Sequence, residues 1–210
     1  MRNILLIFSL LTGMACNQPS EKHINVSRHV CGMKVVLKPM EYTDTAMLKK
    51  LCAVIDTFYH VECSYTKNSP LPLSAYYKAR KRYRADILLD YLLGVIPAGA
   101  SYIIGLTDKD ISATKGKYED WGVFGLGFMP GKSCIISTFR LKGHLKSVRH
   151  FEERLIKVVL HELGHNFGLD HCPTPYCMME DAGGTIQTVD NEKAALCTIC
   201  QNKLKKLLPH

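Results

Sequence analysis

One eleven-residue stretch constrains this chain more than any other: HELGHNFGLDH, residues 161 to 171. It closes a run from 148 to 166 in which Phe151, Leu155, Val158, Val159 and Leu163 recur at helical spacing and give one apolar face. On such a helix His161 and His165, four apart, stand side by side and can share a metal ion. Gly168 follows three residues later, and glycine readily takes the left-handed conformation that stops a helix and turns the chain. That turn brings His171 back as a third ligand. Three nitrogen ligands leave a fourth tetrahedral position open, the arrangement of a catalytic rather than a structural zinc. Glu162 falls beside the metal without binding it, where a carboxylate can take and return the proton of an activated water. A bare HExxH is a weak signal, but the extension through Gly168 to His171 is much stronger. The competing reading is an amphipathic helix with two surface histidines, and the apolar face and the residues that follow speak against it.

Those following residues are Cys172, Cys177 and Met179, then Cys197 and Cys200 after an interval. Two such thiolate pairs can hold a tetrahedral structural zinc, which would pin the loop after the helix and hold His171 next door. Two disulfides, or four unrelated thiols, remain open alternatives if the chain enters an oxidising compartment. Cys31, Cys52, Cys63 and Cys134 are scattered, and spacing does not say whether they pair.

HELGHNFGLDHCPTPYCMM followed by CTIC at 197 to 200 resembles the archaemetzincin signature in spacing as well as residue type. Weaker similarity runs upstream through SYIIGLTDKDI and ISTFRL, so the resemblance extends over residues 33 to 205. It implies a compact metzincin-type α/β domain with a mixed, mostly parallel sheet, one antiparallel edge strand, an active-site helix and a small zinc-bound C-terminal segment. It further implies peptide hydrolysis with two zinc ions. His161, His165 and His171 would hold the catalytic one, with Glu162 as general base or acid. Cys172, Cys177, Cys197 and Cys200 would hold the structural one, and Met179 would form a methionine turn. The expected partner is a peptide or protein substrate, met by a monomer. A zinc-stabilised binding module that turns nothing over is the alternative, and Glu162 argues against it, since a structural metal has no use for a carboxylate there.

The remaining chain reads as alternating strands and helices, which favours helices packed on a mixed sheet. Strands are expected at 33–38, 59–65 and 101–106, and helices at 45–58 and 74–93. The second helix would carry Tyr76, Tyr83, Ile87 and Tyr91 on one stripe and expose the basic run Lys78 to Arg84. Residues 108 to 117 read as a polar loop. Residues 122–128 and 133–138 read as an antiparallel pair, the first of them an edge strand able to meet an extended peptide.

The N-terminus sets the remaining expectations. Arg2, the apolar run Ile4 to Leu11 and small residues before Cys16 resemble a bacterial secretory signal, too short to span a membrane. Residues 1–15 would be removed, Cys16 lipidated and 17–30 left as a tether to a single catalytic domain at 31–210. Gly13 stands where a lipoprotein signal normally has a leucine-like residue. An exported, lipid-anchored enzyme follows, touching the membrane only through that anchor. The formal net charge of +8 is concentrated in Lys78–Arg84 and the C-terminal tail. Such runs can bind nucleic acid, but they more often form a solvated face, and no nucleic-acid partner is expected.

Overall fold

The computed structural model describes residues 32–208. The expected signal segment, Cys16 and the expected tether lie outside them. The main sheet has five strands in the order β2-β1-β5-β9-β8. These are β1 (Lys34–Pro39), β2 (Glu62–Tyr65), β5 (Tyr102–Thr107), β8 (Gly125–Gly127) and β9 (Ser133–Ser137). Every neighbouring pair runs parallel except β8 with β9, which is antiparallel. A mostly parallel sheet with one antiparallel edge strand is thus the observed architecture, as the signature implies.

Such a sheet needs cover on both faces. On one side lie α1 (Thr45–Tyr59) and α3 (Val148–Asn166), whose residues join Val35, Leu37, Ile104, Leu106, Cys134 and Ile136 in the larger core. On the other lies α2 (Ala85–Gly94), packed with Met40, Ile103 and Ile135. The alternation of Ile103 with Ile104, and of Ile135 with Ile136, is the two-residue period of a strand buried on both sides. Asp44 starts α1 by accepting a hydrogen bond from the Met47 amide at 2.9 Å, and His60 ends it in the left-handed conformation. Beyond α3, the chain winds through α4 (Ile186–Asn191) to α5 (Thr198–Leu207).

Three local expectations need correction. The helix expected over 74–93 begins only at Ala85; before it come two 3-10 turns and two short strands, β3 (Tyr76–Tyr77) and β4 (Arg82–Arg84). The seven-residue interval between Tyr76 and Tyr83 mimics helical spacing. Those rings instead meet across an antiparallel pair, 5.1 Å between centroids, around a turn at Lys81 with φ of 53°. The buried face of α2 is Ala85, Leu88, Leu89 and Leu92, while Ile87 is exposed. Part of the basic run is internally paired, since Arg82 bonds Asp110 at 2.7 Å and Asp120 at 3.0 Å. Second, the polar loop expected at 108–117 contains β6 (Ile111–Lys115), which pairs with β7 (Tyr118–Gly122) around Gly116, where φ is 56°. These strands form a second sheet, β3-β4-β6-β7. Third, residues 122–128 divide between the two sheets: Gly122 ends β7 and Gly125 begins β8.

Candidate zinc centre and cleft

Ser147 caps α3 by accepting from the His150 amide at 3.1 Å. The helix ends as its sequence requires. Gly168 has φ of 95°, its amide donates to the His165 carbonyl at 2.9 Å, and the Leu169 amide reaches the Gly164 carbonyl at 3.0 Å. This pair of bonds is the Schellman closure, which glycine satisfies without Cβ strain. It also leaves the Leu169 carbonyl 2.7 Å from His165 Nδ1. The Met178 carbonyl stands at the same distance, 2.7 Å, from His161 Nδ1.

Those two carbonyls fix the chemistry of the imidazoles. A carbonyl only accepts, so each Nδ1 carries the proton and each Nε2 presents a lone pair. The two Nε2 atoms face one another at 3.0 Å. Two acceptors at that separation repel unless a cation lies between them. With Zn–N bonds of about 2.1 Å, tetrahedral ligands stand roughly 3.4 Å apart, close to what is found. The His171 ring completes the group, with its centroid 4.8 Å from that of His165 and 5.5 Å from that of His161. All three donor atoms lie within 4.8 Å of one another. Burial, with His165 beside it, lowers His161 to about 4, and burial lowers His165 as well, so both are neutral and ready to ligate. Asp181 approaches the outer side of His171 at 4.0 Å.

Glu162 is buried at the same cleft, and burial pushes its carboxyl up to about 8. The edge strand presses on it. A Cβ on Gly125 would stand 2.7 Å from Glu162 Cγ and Oε1, and one on Gly127 would stand 3.0 Å from the Glu162 carbonyl. The β8 glycines therefore admit the active-site helix rather than marking bulges. Under the histidines, a Cβ on Gly164 would lie 2.7 Å from Met179 Sδ, so glycine is needed there for the buried Met179 to pack beneath the site. The cleft has a volume of about 350 Å³ and is lined by the three histidines, Glu162, β8 and residues following Met179.

The four cysteines of the signature also converge, with Cys172 Sγ 3.7 Å from Cys197 Sγ and Cys177 Sγ 3.8 Å from Cys200 Sγ. All four sulfurs lie within 4.8 Å of one another. A disulfide would bring one pair to about 2.05 Å, whereas four thiolates at about 2.3 Å from a tetrahedral zinc stand roughly 3.8 Å apart. The donor set and spacing fit zinc. The Cys197 amide adds a bond to Cys177 Sγ at 3.4 Å, and the Cys172 amide donates to the Met179 carbonyl at 2.7 Å, tying the sulfur cluster to Met179.

Sequence reasoning did not find the carbonyls of Met178 and Leu169, because a backbone oxygen has no residue-type signal. It also passed over Asp181, Glu192 and the buried network of Arg154. Arg154 lies four and eight residues before Val158 and Glu162, on a helix face that composition alone marks as polar. Its guanidinium grips Asp190 through two bonds of 2.6 and 2.8 Å and also donates to the carbonyls of Leu141 and Gly143.

A helix carrying two histidines and a glutamate, a glycine turn that returns a third histidine, and a methionine packed beneath them on a mixed sheet define a zinc metallopeptidase. The chain belongs to peptidase family M54, whose model matches residues 60–206. It is 32% identical to the archaemetzincin of Methanopyrus kandleri over 165 residues, 75% of this chain and 90% of that one. To the archaemetzincin of Haloquadratum walsbyi it is 31% identical over 179 residues, 82% of this chain and 99% of the relative. The crystal structure of the Methanopyrus kandleri protein superposes with a TM-score of 0.73 at 29% identity, covering 88% of this chain and 98% of the other. An archaemetzincin from Archaeoglobus fulgidus complexed with malonate gives 0.70 at 26% identity, over 81% and 99%.

Proposed function

We propose that the chain hydrolyses peptide bonds at a zinc ion held by His161, His165 and His171, with Glu162 as general base and then general acid. The observation that carries this reading is the pair of Nε2 lone pairs facing each other at 3.0 Å, with Glu162 buried beside them. Zinc bound there supplies Lewis acidity toward a peptide carbonyl and toward water. Glu162 accepts the proton of the attacking water and delivers it to the departing amine. Its buried position suits both tasks: desolvation makes the carboxylate a stronger base toward the proton of the water, and the carboxyl so formed stands where it can give that proton to the amine. The edge of β8 that faces away from β9 offers backbone groups along which an extended peptide can lie. Met178 and Leu169 hold the imidazoles in the ligating tautomer throughout.

The second zinc, on Cys172, Cys177, Cys197 and Cys200, belongs to the same proposal, as does the methionine-turn role of Met179. The S···S distances support the sulfur site. The N-terminal features support export with a lipid on Cys16 and a tether at residues 17–30. Labelled fatty acid incorporated into the native chain and lost in Cys16→Ala would bear out the anchor; label retained in that variant would overturn it.

The deciding experiment on the site is Glu162→Gln, assayed with a peptide library and by elemental analysis. The variant is expected to keep two zinc ions per chain and to lose activity by about 10²- to 10⁴-fold. Undiminished hydrolysis would remove Glu162 from the reaction.

A further inference from the structure

Glu192 is a second buried carboxylate in the cleft, and the reaction as proposed does not use it. It is 7% exposed and lines the cavity that holds the histidines. Among the described residues no hydrogen bond or ion pair reaches its carboxylate. The nearest cation, Lys157, is committed elsewhere. Its ammonium donates to the carbonyls of Val189, Asp190 and Glu192, which occupies all three of its N–H bonds.

Position adds to this. Lys157 lies four residues before His161 on α3, about one turn or ~5.4 Å along the axis. The Lys157 ammonium holds the backbone of Glu192, and Glu192 lines the same cavity as the three histidines. A cavity of about 350 Å³ shared by both brings Glu192 within reach of a long side chain from a peptide bound at the metal. Val158 and Val189 give the same cavity apolar lining. A cavity with apolar lining and a buried carboxylate matches a side chain with an aliphatic stem and a cationic tip. The other charges on the lining are Glu162, Asp181 and Lys115, so acidic groups outnumber basic ones.

We propose that Glu192 forms the floor of a side-chain subsite that takes a cationic residue of the peptide substrate, lysine or arginine. The inference rests on the zinc-site reading above and names the substrate class for that site. A buried, unpaired carboxylate is costly, and a ligand cation offsets that cost through a charge-assisted hydrogen bond. Burial holds the empty-site Glu192 up at about 7, with Lys157 drawing it down and Glu180 pushing it further up. A cation in the subsite favours the ionised form.

The test uses the full zinc-loaded chain and peptide hydroxamates with lysine, norleucine or glutamate next to the zinc-binding group, on either side of it. Affinity is read by calorimetry. On one of the two sides, lysine is expected to bind about tenfold tighter than norleucine, with glutamate weakest, and Glu192→Gln is expected to bring the lysine-to-norleucine ratio close to one. A merely structural Glu192 would alter melting temperature without moving that ratio. Equal affinity for lysine and norleucine on both sides overturns the subsite, and this comparison needs no variant. An undiminished ratio in Glu192→Gln also overturns it. Failure of every hydroxamate to bind a chain with full zinc content would instead overturn the zinc-site reading, and the subsite with it.

Discussion

Gly125 occupies a position where a single methyl group separates a working arrangement from a displaced one. An alanine there would put its Cβ 2.7 Å from the Glu162 side chain, whose end must swing away. The strand itself need not move, because the clash is with a side chain. Gly125→Ala is therefore expected to retain zinc and near-normal stability while losing activity by roughly tenfold to a hundredfold, the scale set by displacing a reacting group by about 1 Å. Zinc content, melting temperature and turnover measured together check this; unchanged turnover would show that Glu162 tolerates the shift. The sequence displays the glycines of β8 but not their purpose. A glycine facing a substrate and a glycine facing a helix look alike until the partner across the gap is known.

At the scale of elements, α3 and the segment after it work as one unit. The helix delivers His161, Glu162 and His165, and the Schellman turn at Gly168 releases the chain toward His171 and Cys172. From there the sulfur cluster gathers the ends of the segment. Cys197→Ser is expected to lower stability by several kcal/mol, as loss of a structural zinc ligand does, and to reduce zinc below two per chain. A variant with native metal content and melting temperature would refute the second zinc. Most of this unit was legible in sequence, because ligand chemistry needs particular residue types at particular intervals. The region from 74 to 122 was not. There Tyr76 and Tyr83 carried a spacing common to a helix stripe and a hairpin pair, and Ile111 to Lys115 mixed buried and polar residues too briefly to reveal a strand. The pairing of β4 with β6, which sets Tyr83 beside Ile111 and Arg84 beside Ser112, holds both in one sheet, and local pattern does not contain it.

For the molecule as a whole, the Arg154–Asp190 pair joins α3 to α4 and the turn at Leu141 to Gly143. Arg154 is 1% exposed. Removing Asp190 would leave a buried guanidinium short of its counter-ion, at a cost of about 3–5 kcal/mol. Asp190→Ala is expected to lower the melting temperature accordingly, and a neutral effect would mean that the Leu141 and Gly143 carbonyls suffice. The pair also sets an acid limit. The Arg154 guanidinium, with help from His150, holds Asp190 down at about 2 against an ordinary 3.8. Its contribution, about 2 kcal/mol, is full above pH 3.8 and is lost as pH falls through about 2. Denaturant titrations from pH 5 down to 2 should show this loss in the native chain and its absence in Asp190→Asn.

His171 and Cys172 are consecutive residues assigned to different metals. His171 is half-exposed, and its one charged neighbour stands 4.0 Å away, whereas Cys172 is buried and fastened by backbone and sulfur alike. The two sites are consequently linked through a single peptide bond. Two of the three histidines are set by the helix itself, whereas the third is placed by the loop whose next residue belongs to the sulfur cluster. If both groups hold zinc as proposed, filling the sulfur site would also steady the third ligand of the histidine site.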